Sequence, residues 1–304
     1  MFRKTQRALR MGVVVLLAMA GSNAGSAQVR RQQNEPPAQG DGDVGHTLTA
    51  QVVRTGLYLI SGGGANSLLR FSANGLILVD GKLPGNYRAL MSQVRNISKI
   101  SDLPVRFLIV TDHHQNHTGN NAQFVAAGVR IIANENVTHN LTINNSPGNR
   151  AASPNITFDH DYTLRLGGIE AQLMHFGNAH TSGDTVVLFA NLKVVAVGDL
   201  FAPTPDPDFA AGGSLVGWGS VLAKILKLDF DVVVPGTGPT VTRAELAAFK
   251  TKVDILVSRA TALVKKGIPK DQLMAHLKTD DLGWKFNITG DRLDRFYAEL
   301  SRTK

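Results

Sequence analysis

Four times along this 304-residue chain, a short run of β-branched or apolar residues stops at a polar loop. Val105–Val110 leads into Thr111–Asn120 (TDHHQNHTGN), which holds three of the nine histidines. Ile169–Phe176 leads into Gly177–Asp184 (GNAHTSGD) with His180, Val194–Val197 into Gly198–Asp199, and Val232–Val234 into Pro235–Pro239 (PGTGP). Runs of this kind predict strands. Side chains at i and i+2 of extended backbone share a face, so Asp112 and His114 aim at one point. Polar residues gathered at strand ends mark the usual position of a site on an α/β sheet.

Further strands are predicted over Val52–Ile60, Ser67–Phe71, Leu76–Asp80, Val129–Ala133, Thr185–Phe189 and Lys193–Val197. Apolar spacing of three and four predicts helices over Tyr87–Ile100, Asn120–Ala127, Glu135–Ile143, Ser214–Leu228 and Val241–Lys266. Two more follow around Lys270–Leu277 and Asp291–Arg302. Strands interleaved with helices imply a layered α/β domain, taken as one unit over residues 47–304. At 43% hydrophobic residues the chain has ample material for a core. It has no Cys, which excludes disulfides and thiolate metal sites, so any ion must be held by His, Asp, Glu or amide oxygen.

The N-terminus carries Arg3, Lys4, Arg7 and Arg10, then the apolar Met11–Ala20, then the small residues Gly21–Ala27. That order predicts a signal peptide over 1–27, followed by a flexible leader over 28–46. Ten apolar residues fall short of the about 20 that a membrane-spanning helix needs. Removing four cations from the formal charge of +8 leaves +4, and no basic block with aromatics remains to engage nucleic acid. The expectation is an exported protein, periplasmic or secreted, with no stable membrane anchor after cleavage and a small-molecule substrate.

Gly62–Ser67 (GGGANS), Gly75–Gly81 (GLILVDG), the histidine loop, Gly177–Val186, Val197–Asp199 and Val234–Pro239 together resemble, in order and spacing, the metallo-β-lactamase superfamily. The resemblance implies an αββα sandwich with one or two metals at its edge. It also exposes departures. The family's His-x-His-x-Asp-His is here Asp112-His113-His114-Gln115-Asn116-His117, and its Pro-Gly-His-Gly carries Thr237 in place of the histidine. The resemblance thus implies one ion on Asp112, His114 and His180, with Asp199 as a fourth ligand. Two imidazoles and a carboxylate suit Zn²⁺, and also Fe²⁺. The second site would need Asn116, His117, Asp199 and Thr237; a neutral amide and a hydroxyl are poor donors, so it is expected to be vacant or weak. Asn116 has no proton-accepting carboxylate, which leaves Asp199 and His117 as catalytic candidates for proton transfer. The implied activity is hydrolysis of an ester, thioester or lactam/amide carbonyl by metal-activated water. The alternatives are a non-catalytic member that binds a ligand or partner, and a mononuclear iron oxygenase.

Plainer roles are expected elsewhere. Asn116 is read as the N-cap of the following helix, and His113 as pointing away from His114. His139 and His160 are read as surface histidines, His175 as either a wall of the site or a hydrogen-bonded core histidine, and Asp184 as holding a loop or a ligand in place. Ser61–Asn66 lacks the Lys and Ser/Thr of a phosphate loop and predicts a hairpin. Pro203–Trp218 is a candidate pocket wall.

Overall fold

The computed structural model describes residues 47–99, 103–143 and 151–303; the predicted signal and leader segments lie outside them. β1 (Thr49–Arg54) and β2 (Leu57–Ser61) form a hairpin where the apolar pattern predicts one strand, because Gly56 turns the chain at φ 72. β3 (Ser67–Ser72) pairs with β2 across the Gly62–Asn66 loop, as the hairpin reading expects. Gly62, Gly63 and Gly64 all take positive φ, a run that side chains would strain. β4 (Gly75–Val79) then starts a parallel series. It continues through α1 (Tyr87–Ile97) to β5 (Val105–Ile109), then α2 (Gln115–Thr118) and α3 (Asn121–Ala126) to β6 (Arg130–Asn134). After α4 (Glu135–Ile143), β7 (Ile156–Phe158) completes a seven-stranded sheet in chain order.

The second sheet holds β8 (Asp161–Leu166), β9 (Ile169–Met174), β10 (Val186–Phe189), β11 (Val194–Gly198), β12 (Val232–Pro235) and β13 (Val241–Thr242), ordered β13-β12-β11-β10-β9-β8. β11 and β12 are parallel, joined by a crossover containing α5 (Leu215–Ile225). The chain closes with α6 (Arg243–Lys265), α7 (Lys270–His276) and α8 (Gly290–Arg302).

Strand alternation sorts the apolar residues into three layers. Leu57, Leu59, Ile77, Val187, Phe189, Val194 and Ala196 fill the space between the sheets. Ile60, Leu76, Leu78 and Leu108 face outward under α1, α3 and α4, while Val186, Val195 and Val197 face α5 to α8. The result is the expected αββα sandwich. β7, β8 and β13 were not legible in the sequence: the first and last are three and two residues long, and β8 (DYTLRL) buries only Leu164. No helix among the described residues is long and apolar enough to cross a membrane.

Candidate metal centre

The parallel strands β4, β5, β11 and β12 end at one edge, and the polar loops meet there. Asp80 follows β4 with φ 63 and is buried; its carboxylate accepts the Thr111 amide and the Thr111 hydroxyl, each at 2.8 Å. That pair fixes the chain as it leaves β5. One residue on, the Asp112 Oδ1 accepts the His114 amide at 2.8 Å and lies 3.0 Å from His114 Nδ1. Its Oδ2 lies 3.3 Å from His117 Nε2 and 3.9 Å from His180 Nε2. His114 Nδ1 and His180 Nε2 are 3.2 Å apart. Asp199, just past β11, places Oδ2 3.3 Å from His117 Nε2 and 3.7 Å from His180 Nε2. The structure thus brings together Asp112, His114, His180, Asp199 and His117.

Neighbours hold these rings. His180 Nδ1 donates to the Asp206 carbonyl at 2.7 Å, and its ring lies 6.1 Å from that of the buried Trp218. Asp184 accepts the Thr181 amide and hydroxyl, pinning the loop that carries His180, as expected of it. His117 is sealed from solvent, with Nδ1 2.9 Å from Asp80 Oδ2 and 3.0 Å from Thr111 Oγ1. His114 Nε2 lies 3.2 Å from Asp208 Oδ2. His175 meets the Asp184 carbonyl at 2.9 Å, and His139 and His160 are exposed.

Carboxylates dominate the electrostatics. Burial alone would depress His114, but the charges and hydrogen bonds of Asp112 and Asp208 raise it to about 10. Burial opposes charging of His117 as well, and Asp112, Asp80 and Asp199 overcome it to hold the ring well above the usual range. Asp112 would be raised by burial, yet His117 and His114 keep it well below its ordinary value. His113 goes the other way, pushed down to about 4 by burial and by the charge on His114.

An ion fits this donor set. Asp112, His114 and His180 each offer a donor atom within 4.8 Å of the others, and so do Asp112, His117 and Asp199. Zinc bonds of about 2.0–2.1 Å arranged tetrahedrally require donors about 3.3 Å apart, and the donor pairs above span 3.0 to 3.9 Å. His117 Nε2 is buried without a well-directed hydrogen bond, as a ligand nitrogen awaiting a cation would be.

Two expectations are corrected. Asn116 is not an N-cap: α2 starts at Gln115 with His114 in the capping position, and Asn116 lies inside the helix, its carbonyl accepting the Ala65 amide at 3.0 Å. His113 does not point away from His114; the rings lie 4.2 Å apart, and His113 Nε2 is 3.6 Å from Asp208 Oδ2. Thr237, the other weak-site candidate, is exposed in the loop after β12. Sequence reasoning missed Asp80 and Asp208. Asp80 lies within the GLILVDG run, and Asp208 lies within the predicted pocket wall, so each had a signal of position but not of partner.

The sequence pattern of the metallo-beta-lactamase superfamily matches residues 60–237, more than half of the chain. The chain belongs to the metallo-beta-lactamase superfamily. The fold agrees: a metallo-beta-lactamase from Pontibacter korlensis superposes with TM-score 0.60 at 19% identity, covering 68% of this chain and 99% of that one. The crystal structure of the DIM-1 metallo-beta-lactamase gives 0.58 at 18%, covering 68% and 97%. Among curated proteins, the 2,4-dinitroanisole O-demethylase subunit alpha of Nocardioides sp. (strain JS1661) is 25% identical over 226 residues, 74% of this chain and 68% of that protein. Members of this superfamily bind metals, and the Asp and His donors here form groups suited to one. The matched segment ends at residue 237, so α6, α7 and α8 lie beyond it.

Proposed function

We propose that this protein is a metal-dependent hydrolase of an ester, thioester or lactam/amide carbonyl, with Zn²⁺ as its ion. The observation that supports this is the convergence of the Asp112, His114 and His180 donor atoms within 4.8 Å at the sheet edge. When bound, the ion supplies Lewis acidity that polarises a carbonyl and acidifies water. Exposure separates the roles of the other residues. Asp199 is 21% exposed and touches both His117 and His180, so it faces the open side and handles the proton. His117 is fully buried behind it, backed by Asp80, and stabilises the charge on Asp199. Asn116 and Thr237 leave the second position weak, and one ion is the working stoichiometry.

Measuring bound metal in the purified full chain, beside ester and β-lactam turnover, tests this. Near-stoichiometric zinc with turnover abolished in His180→Ala supports it. Zinc retention without turnover selects a ligand-binding protein, and iron with oxygen consumption selects an oxygenase. The likeness to a dinitroanisole O-demethylase subunit favours adding activated aryl methyl ethers to the screen. Demethylation without carbonyl turnover would redirect the substrate class. Export to the periplasm or beyond is proposed on the basic, apolar and small segments of residues 1–27, and cell fractionation with N-terminal sequencing tests it.

A further inference from the structure

The C-terminal helix α8 lies outside the matched segment of the superfamily, yet it grips the loop that touches both histidine donors. Arg292 pairs with the Asp206 carboxylate and donates to the Pro207 carbonyl, and Arg295 donates to the Phe209 carbonyl at 3.0 Å. Phe209 is buried, its ring 6.3 Å from that of Phe296 on the same helix. The Arg292–Asp206 pair is exposed and weak alone; the buried aromatic contact and the Arg295 bond anchor the loop.

From that anchor the loop reaches back to the site at two points. The Asp206 carbonyl can only accept, so the 2.7 Å contact places a proton on His180 Nδ1 and turns Nε2 toward His114 and Asp112. The Asp208 amide donates to the His180 carbonyl at 2.8 Å, fixing that residue's main chain as well. Asp208 Oδ1 accepts the Ala210 and Ala211 amides at 2.9 and 3.1 Å, which sets the plane of the carboxylate. Its Oδ2 accepts the hydrogen bond from His114 Nε2–H at 3.2 Å, leaving Nδ1 to face Asp112 and His180. Carboxylate and carbonyl partners of this kind orient metal-binding imidazoles.

We infer that α8 is a positioning element of the site: through Arg292, Arg295 and Phe296 it holds residues 206–209, and they decide which nitrogen each of His114 and His180 presents. This rests on the proposed function only in taking His114 and His180 as the ion's ligands.

The test uses the full chain and its Arg292→Ala/Arg295→Ala variant, with Phe296 kept so that the core stays filled. Two readouts apply besides turnover: zinc affinity by chelator competition, and long-range proton–nitrogen NMR of the histidine rings. With zinc bound, the wild type is expected to carry N–H at His180 Nδ1 and His114 Nε2. The double variant, folded by circular dichroism, is expected to lose 10–100-fold in zinc affinity and to show altered ring signals for both histidines. Arginine-to-lysine replacements at both positions should restore much of the affinity. Asp208→Ala should alter His114 and leave His180 unchanged, because His180 is held by a main-chain carbonyl. Unchanged affinity and ring signals in the folded double variant would overturn the inference. So would a second zinc equivalent lost on Asp208→Ala, which would make Asp208 a ligand. If the wild type takes up no zinc, the proposed function fails, while the ring signals still decide the role of α8.

Discussion

At the scale of single residues, protons and a cation compete for the same atoms. His114 is raised to about 10 because two carboxylates hold its protons, so an ion entering beside Nδ1 must displace one. Zinc uptake should therefore release protons, and the apparent affinity should rise about tenfold per pH unit for each proton displaced. Titration of zinc into weakly buffered protein with a pH indicator checks this, and uptake without proton release would contradict it. Lys82 makes a second, separate prediction. It is fully buried, donates to the Ile60 and Ala65 carbonyls at 2.6 Å each, and is lowered from 10.5 to about 7 by burial, with Asp80 opposing. Two carbonyls match the two N–H groups of a neutral amine. Between pH 7 and 10.5 the unfolded chain holds a proton that the native chain lacks, so this lysine makes stability rise with pH across that window. Below pH 7 both states are protonated and the gain is gone. Urea unfolding should show the wild type gaining on Lys82→Met by up to about 1.4 kcal/mol per pH unit above 7; a gap that stays flat would refute it.

At the scale of elements, loops place the chemistry and caps hold the helices. A Cβ at Gly236 would collide with the Asp199 carboxylate and press on the backbone of Gly198. Gly236→Ala should leave the fold intact, displace Asp199 and cut zinc affinity by roughly tenfold or more; chelator competition measures it. Thr242 starts the 23-residue α6 with a capping box, accepting the Glu245 amide while Glu245 accepts the Thr242 amide at 2.7 Å. Thr242→Ala should cost about 1 kcal/mol, read by thermal unfolding. This is also the scale at which the sequence was most and least informative. Strands such as Val105–Ile109 and Val194–Gly198 were legible because they are mostly apolar and β-branched and lead into loops that hold histidine or aspartate. Asp112, His114 and His180 were legible through their loops. Asp80 and Asp208 were not, because a carboxylate that orients a histidine is distinguished by its partner, and those partners, His117 and His114, lie far along the chain. Asn116 misled for a local reason: the helix begins one residue before it.

At the scale of the whole molecule, three apolar layers carry the stability and the site adds a condition to it. A ligand that binds only the native state stabilises it by mass action, about 2.7 kcal/mol at a hundredfold excess over Kd. Saturating zinc should raise the melting temperature of the wild type, chelation should lower it, and His180→Ala should abolish the difference; calorimetry decides. Asp112 and His114 descend from the seven-stranded sheet, His180 from the six-stranded one. The ion's ligands are thus split between the two halves of the sandwich, which meet in sequence between β7 and β8. Severing the chain there would give two fragments, neither with a full complement of donors, and capture of a cation would become a signal that the fragments had found each other.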